Sequence, residues 1–335
     1  MTGTPDSHLH PVTLAEIASQ PQVWRRALAL TGRMTQLLGR PGDRVLVLGC
    51  GTSAFAAQSV AALREGAGLG ETDAAYASEL PRRLAERGRY QRVVALSRSG
   101  TTTEVLDALA TVPAGTARAL VTAMPGSPIG ALVDDELVLD FADETSVVQT
   151  RFPTTVLLLG RAAVGQEMTG LPDACADALA EPLPVRLDRV EHIVYLGRGW
   201  TVGLAHEAAL KVREAAQAWS ESYPALDYRH GPVAVAGERS LVWIFGEAPA
   251  GLVDDLAATG AQVVSDRTDP LVALVQAQRL AVALAARRGL DPDRPRHLTR
   301  SVILRPAPTA THPAPNQAAT DPAATDPAAT NGAVR

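Results

Sequence analysis

The sequence has 335 residues, of which 46% are hydrophobic, and its formal net charge at pH 7 is −5. This length predicts about two domains with a sizeable core, and the negative charge argues against a general affinity for nucleic acid. Two cysteines, Cys50 and Cys175, make no disulfide framework, and no zinc-like spacing of Cys and His occurs. With neither a signal-peptide pattern nor an apolar run long enough to span a bilayer, the sequence predicts a cytoplasmic protein that binds no nucleic acid and no membrane.

Residues 1–40 are predicted to form an N-terminal helical segment, with a helical pattern over 14–39 that is interrupted near Pro21. A first domain is predicted over 41–182. Its short apolar runs alternate with helical patterns at 53–65 and 102–110, which is typical of a parallel sheet. The strands predicted from these runs are at 44–51, 92–100, 117–123 and 136–141.

The pattern then restarts, which predicts a second domain over 183–305. "HIVYLGRG" (192–199), like "RVLVLGCG" (44–51), is an apolar run that ends in glycines. Further apolar runs follow at 240–246 and 261–266. A helical link is expected near 154–182. The predicted fold class is α/β, with two doubly wound parallel-sheet domains, in which ligands bind outside the carboxyl ends of the strands. Residues 306–335, an Ala/Thr/Asp/Pro repeat without large apolar side chains, are predicted to be a disordered tail.

Two predicted strand-to-helix turns are rich in hydroxyls, "GCGTS" (49–53) and "SRSGTTTE" (97–104). A helix N-terminus exposes unpaired backbone N–H groups, hydroxyls add neutral donors, and glycine lets the backbone approach an anion closely. These turns therefore predict a phosphate site. The alternative is that the hydroxyls only cap helices, for which one hydroxyl per helix would be enough.

A second alternative concerns the first turn alone. Gly49, Gly51 and Ala54 fit the dinucleotide pattern G-x-G-x-x-A, with an acidic residue downstream at Glu79. This spacing is common by chance, and a dinucleotide would not require a second hydroxyl-rich turn one strand away. A phosphate monoester accounts for both turns.

The stretch "HEAALKVREAAQAWSESYPALDYRHGP" (206–232) contains a third candidate site. Glu207, Lys211 and Glu214 are spaced to share one face of a helix. Such a face is usually a solvated series of salt bridges. However, Lys211 is the only lysine in the chain, where arginine occurs at every other Lys/Arg position, which favours a specific role for it. His230 follows in "YRHGP" and is a candidate catalytic residue, although a lone histidine is more often structural.

Together these motifs resemble the sugar isomerase (SIS) family of phosphosugar-binding proteins, and most of all its double-SIS members such as the isomerase half of glucosamine-6-phosphate synthase. The resemblance covers about residues 14–304, in which the motifs keep the family's order. Those motifs are "GCGTS", "SRSGTTTE", "ETSVVQTRFPTT", "LGRG", "EAALKVREA", "RHGP" and "DRPRHLTRSV".

The resemblance implies a role for each matching residue. Glu214 would be the base that moves a proton between C1 and C2 of the sugar, supported by Glu207 and Lys211. His230 would open the sugar ring from a neighbouring subunit, so a homodimer is expected. Neither a cofactor nor a metal is implied. The substrate-binding positions carried over are Gly51, Thr52, Ser53, Ser97, Arg98, Ser99, Thr102, Val147 and Arg300.

The sequence also departs from the synthase. It is expected to lack the glutaminase domain, and Arg300 stands where the synthase has a lysine. An arginine stays protonated and cannot form an imine with a sugar carbonyl. Glutamine is common where Arg98 stands, and "SRSG" is nearer to the family's amino-sugar deaminases and ketose/aldose isomerases.

The predicted function is therefore aldose–ketose interconversion of an amino-sugar 6-phosphate, with or without deamination. One carboxylate can carry the proton through an enediol intermediate. The alternative is a non-catalytic protein that senses sugar phosphates, as family members fused to helix-turn-helix domains do.

Overall fold

A computed structural model of the chain describes residues 11–80, 89–265 and 267–304. These ranges contain ten α-helices and two parallel sheets, so the predicted α/β class is confirmed. The predicted disordered tail at 306–335 and the first ten residues of the N-terminal segment lie outside the described residues.

The first sheet has five parallel strands in the order β2-β1-β3-β4-β5. Its strands are β1 (Val45–Gly49), β2 (Thr72–Tyr76), β3 (Arg92–Leu96), β4 (Ala117–Thr122) and β5 (Asp135–Val138). The strand order reverses between β1 and β3, which is where a doubly wound sheet opens a crevice for a ligand. Both predicted phosphate turns follow these two strands.

The second sheet has four parallel strands in the order β7-β6-β8-β9. Its strands are β6 (His192–Gly197), β7 (Ser220–Pro224), β8 (Ser240–Ile244) and β9 (Gln262–Val264). Here the order reverses between β6 and β8, so the two sheets repeat one topology. The edge strands β2 and β7 were not predicted from apolar runs in the sequence.

Helices connect the strands and fill the space between the sheets. Their bounds are α1 (Pro11–Ala18), α2 (Gln20–Leu28), α3 (Thr31–Leu37), α4 (Thr52–Gly66), α5 (Thr103–Ala110), α6 (Arg151–Ala163), α7 (Leu171–Ala180), α8 (Thr201–Ala216), α9 (Leu252–Ala258) and α10 (Pro270–Arg287). The predicted helix over 14–39 is three helices, and Pro21 occupies the first turn of α2, where its missing N–H costs no hydrogen bond.

The central contact is between α4 and α8, the helices that follow the first strand of each sheet. Gly203 of α8 lies so close to α4 that a Cβ there would be 2.2 Å from Ser59 Oγ and 2.4 Å from the Phe55 carbonyl oxygen. This close crossing places the N-terminal half of α4 beside α8. It thereby joins the first phosphate turn to the face of α8 that carries Lys211.

One apolar core extends over both sheets and includes Val47 of β1 and Tyr195 of β6. Residues 11–303 accordingly lie in one compact unit. The strands of the two sheets fall within 41–182 and 183–305, but the division into two domains at these bounds stays a prediction. No helix of the described ranges is both long and apolar enough to cross a membrane.

Candidate active site

The first phosphate turn, residues 49–53, is a tight connection from β1 to α4. Gly51 caps α4 with a φ of +52°, a region that favours glycine, and no side chain caps this helix. A Cβ at Gly49 would lie 2.7 Å from the backbone of Ser53. Thr52 and Ser53 are both buried against this turn. The N–H groups of Ser53 and Ala54 donate to the carbonyls of Cys50 and Gly51, so backbone bonds of the turn itself, and no side-chain cap, hold the start of α4.

The second phosphate turn, residues 97–102, connects β3 to α5. Gly100 has a φ of +64°, and a Cβ there would lie 2.2 Å from the Ser127 side chain. The Ser97 hydroxyl accepts a hydrogen bond from the Gly100 N–H at 3.2 Å, which holds the turn. Thr102 is the N-cap residue of α5, yet its side chain makes no capping hydrogen bond. This hydroxyl is not explained by capping, which favours the ligand interpretation.

On α8, three charged side chains meet beside the first turn. The Lys211 ammonium lies 2.7 Å from Glu214 Oε2, 3.3 Å from Glu207 Oε1 and 3.1 Å from Thr52 Oγ1. Glu207 and Lys211 are 2% and 1% exposed, whereas the Glu214 side chain is 20% exposed. The face is thus a buried charge cluster and not a solvated series of salt bridges. Of the two carboxylates, Glu214 is the one exposed enough to meet a substrate.

The burial of this cluster changes its protonation. Burial raises the pKa of Glu207 to about 7, against the opposing effect of the Lys211 charge, and neither Glu207 oxygen makes a well-directed hydrogen bond. Burial alone would lower the pKa of Lys211, but the carboxylates of Glu207 and Glu214 outweigh it and raise that pKa. The lysine is therefore an ammonium at neutral pH.

Glu207→Gln should flatten the pH dependence of stability. The folded pKa of about 7 lies above that of an unfolded glutamate, so the stabilising contribution is complete below the unfolded pKa and is lost as pH rises toward 7. Between pH 4.5 and 8 the wild-type free energy of unfolding should fall by on the order of 3 kcal/mol more than that of the variant. Denaturant unfolding across this range measures it. The exposed Glu247→Gln is the control and should follow the wild type, and a wild-type slope in Glu207→Gln would contradict the buried-carboxyl assignment.

The segment 143–150 forms the next wall of the site and contains Val147, which is half-buried. The Glu144 carboxylate accepts from the backbone N–H of Thr150 at 2.5 Å and of Arg151 at 2.8 Å, and so caps α6. Glu16 of α1 accepts from the Thr145 N–H at 2.6 Å. Two buried carboxylates thus fix the backbone that carries Val147.

We call residues 299–303 the C-terminal strap, because they cross the second phosphate turn. The Ser301 hydroxyl lies 3.1 Å from the Ser99 hydroxyl and 2.9 Å from the Thr101 hydroxyl. The Thr103 N–H, at the start of α5, donates to the Val302 carbonyl at 3.3 Å. Through these contacts the strap is attached to the loop predicted to hold the phosphate.

Both predicted arginine ligands are directed at protein groups. The guanidinium of Arg98 donates to the carbonyls of Ser146 at 2.9 Å and of Arg300 at 2.8 Å. The guanidinium of Arg300 contacts the Asp143 carboxylate and the Glu144 carbonyl. Their assignment as substrate ligands stays a prediction.

Of the four predicted catalytic residues, His230 alone has no contact with the others among the described residues. It ends a 3₁₀ turn, Asp227–His230, before Gly231 at a φ of +142°. Its side chain is exposed and, within the described part of the chain, makes no hydrogen bond.

Comparison with known proteins shows which proteins this chain is similar to. No family model matches the chain. A glutamine–fructose-6-phosphate aminotransferase (isomerizing) from Thermus thermophilus is 28% identical over 354 residues, covering 87% of this chain and 58% of that relative. The chain thus spans less than two thirds of the length of this curated relative.

Solved structures agree with the sequence match. The crystal structure of a glucosamine-6-phosphate deaminase from Thermotoga maritima matches with a TM-score of 0.71 and 26% identity, covering 87% of this chain and 99% of that one. The resemblance to sugar isomerase (SIS) proteins that the sequence predicted is thereby confirmed. A tagatose-6-phosphate ketose/aldose isomerase from Escherichia coli shares the fold, with a TM-score of 0.70, 21% identity and coverage of 88% and 96% of the two chains.

Sequence reasoning missed several residues that build this candidate site. Glu144 begins the quoted motif "ETSVVQTRFPTT", and an acidic residue shortly before a helix that carries Pro153 in its first turn could have indicated a capping role. For Glu16 no signal existed, because its partner Thr145 is 129 residues away. The same holds for Ser301, which meets Ser99 across 202 residues.

Proposed function

We propose that this protein is a phosphosugar isomerase that interconverts the aldose and ketose forms of an amino-sugar 6-phosphate, with or without release of ammonia. The observation that carries the proposal is the Lys211 ammonium, which joins Glu214 on α8 to Thr52 in the first phosphate turn. A carboxylate suited to proton transfer is thereby fixed beside a turn suited to a phosphate.

The sugar phosphate would bind across the two turns. Their hydroxyls offer neutral donors to the phosphate oxygens at the positive N-terminal ends of α4 and α5. With the phosphate held there, the sugar chain would extend toward α8, where Glu214 has the exposed carboxylate.

Glu214 would remove the proton from C2 of the open-chain aldose and return it to C1 through an enediol. Lys211 orients this carboxylate, because its ammonium donates to Glu214 Oε2 at 2.7 Å. Glu207, buried behind Lys211, would balance the ammonium charge when it is ionised.

Ring opening would fall to His230 of a second subunit. An exposed histidine in a turn suits such a role, since imidazole can transfer a proton near neutral pH. We infer a homodimer on this basis, in the cytoplasm.

Deamination needs no further protein nucleophile. With a 2-amino aldose the intermediate would be an enaminol, and its protonation at C1 would give an imine at C2. Addition of water to that imine would then expel ammonia and leave the ketose 6-phosphate. Arg300 cannot form an imine, which supports a reaction without covalent attachment of the sugar. The match to a protein named glucosamine-6-phosphate deaminase supports this branch.

A panel of hexose 6-phosphates and hexosamine 6-phosphates tests the proposal, with ketose and ammonia measured separately. Ketose without ammonia identifies an isomerase, and both together identify a deaminating isomerase. Binding by calorimetry without turnover of any compound would contradict the catalytic proposal and favour a sensor.

Ser99→Ala combined with Thr102→Val should weaken sugar-phosphate binding while the protein stays folded. Loss of two donors to a phosphate should cost about 2–4 kcal/mol. That cost corresponds to a dissociation constant roughly 30- to 800-fold higher, measured by calorimetry.

The control variant is Thr111→Val at the opposite end of α5, where the hydroxyl donates only to the Ala108 carbonyl. It should bind as the wild type does. Unchanged affinity in the double variant would remove the phosphate assignment from the second turn.

A further inference from the structure

Arg98 is a buried cation in the middle of the second phosphate turn, between Ser97 and Ser99. It is 2% exposed. Its two terminal nitrogens donate to carbonyls that lie 48 and 202 residues away in sequence, those of Ser146 and Arg300. The side chain therefore connects the phosphate turn to two distant segments, the Val147 wall and the C-terminal strap.

The charge of Arg98 has no direct counter-ion. Within the described ranges no carboxylate lies within 4.0 Å of its guanidinium nitrogens, and its Nε is buried without a partner. Burial lowers the pKa of Arg98, and Glu144 is the carboxylate that most opposes this effect from a distance. A buried cation held by neutral carbonyls keeps its positive charge available to an anion nearby.

The strap has its own contacts with the same turn. The hydroxyls of Ser99, Thr101 and Ser301 lie within 3.1 Å of one another. In a closed ring each hydroxyl donates to the next, so no hydrogen is left for a ligand. In this ring Ser99 donates to Ser301, so a phosphate oxygen that accepts from Ser99 would replace that bond and leave the strap to its remaining contacts.

We propose that Arg98 is a positioning residue, which holds the C-terminal strap and the Val147 wall against the second phosphate turn and contributes charge to phosphate binding without touching the phosphate. The contribution of Arg98 to phosphate binding rests on the proposed function. Its role in holding the strap and the wall does not. This inference revises the sequence prediction of Arg98 as a direct substrate ligand.

The planar guanidinium group explains why an arginine suits this position. Two carbonyls on separate segments accept from two nitrogens of one rigid group, which a single ammonium cannot reproduce. Arg98→Lys should therefore keep the charge and lose the bridge, whereas Arg98→Gln should lose both. Arg92→Gln, at the opposite end of β3, is the matched control for removal of an arginine.

The first measurement is hydrogen exchange in the protein without ligand. The Thr103 N–H reports on the strap, because it donates to the Val302 carbonyl. The Ser146 N–H, which donates to Glu16, reports on the Val147 wall. We expect at least a tenfold faster exchange at both amides in Arg98→Gln and in Arg98→Lys, and wild-type exchange in Arg92→Gln.

The second measurement is calorimetric binding of glucosamine 6-phosphate, together with kcat and KM on whichever panel compound is turned over. We expect Arg98→Gln to raise the dissociation constant and KM at least tenfold and to change kcat less. Arg98→Lys should lose less affinity than Arg98→Gln, because it retains the charge. If Arg98→Gln does not fold, Arg98→Lys carries the test, since it keeps a cation in the buried site.

The two measurements separate this inference from the proposed function. Wild-type exchange at Thr103 and Ser146 in both variants would overturn the positioning role even in an active enzyme. Faster exchange in a protein that turns over no sugar phosphate would support the role and contradict the function. Equal loss of affinity in the two variants would overturn the contribution of charge.

Discussion

Glu214→Gln should abolish exchange of the substrate C2 proton with solvent and leave sugar-phosphate binding nearly unchanged. The amide has the shape of the carboxylate and can still accept from Lys211, which lies 2.7 Å away, but it cannot take up a proton from carbon. Removal of a general base typically costs about 10²–10⁴-fold in rate. Proton NMR of the substrate in heavy water measures the exchange, and calorimetry measures the binding.

Glu191→Gln is the matched control, since that carboxylate pairs with Arg239 on the surface. It should exchange the C2 proton at the wild-type rate. Full turnover by Glu214→Gln would show that another group is the base. Glu207, on the same face of α8, would then be the next candidate.

Sequence patterning predicted every central strand and also the edge strands β5 and β9. β1, β3, β6 and β8 are apolar runs that end in glycine or serine, and their residues are buried almost throughout. β2 and β7 were missed because their sequences, "TDAAY" and "SESYP", are partly exposed and lack a continuous apolar run.

Local motifs predicted the candidate site where one element supplies its residues. Glu207, Lys211 and Glu214 are three such residues, because helical spacing alone puts them on one face. Where a side chain contacts a segment distant in sequence, the motif did not predict its partner. Arg98 lies within a predicted ligand loop, yet its guanidinium contacts the Ser146 carbonyl, since the position of segment 143–150 depends on Glu16 and on α6.

Lys211 should not form a covalent adduct with the substrate. Imine formation requires a neutral amine, and the flanking carboxylates raise the pKa of this lysine above its ordinary value. Borohydride reduction in the presence of substrate should therefore leave no sugar on Lys211, as measured by mass spectrometry of its peptide. A trapped adduct would overturn the enediol mechanism without a covalent intermediate.

Lys211→Arg should remove most of the activity even though it keeps the positive charge. The ammonium has three N–H donors and three oxygen neighbours, on Thr52, Glu207 and Glu214, in a site that is 1% exposed. A planar guanidinium is larger and fixed in geometry, so overpacking should cost about 1–3 kcal/mol of stability. Displacement of Glu214 by even about 1 Å should lower kcat roughly 100-fold. Arg213→Lys, the reverse exchange on the same helix, is the control and should keep full activity, because its hydrogen bonds within the described residues go to Ser220 and the substitution keeps its charge. A fully active Lys211→Arg variant would instead return this lysine to an ordinary salt-bridge role and leave Glu214 to act without its support.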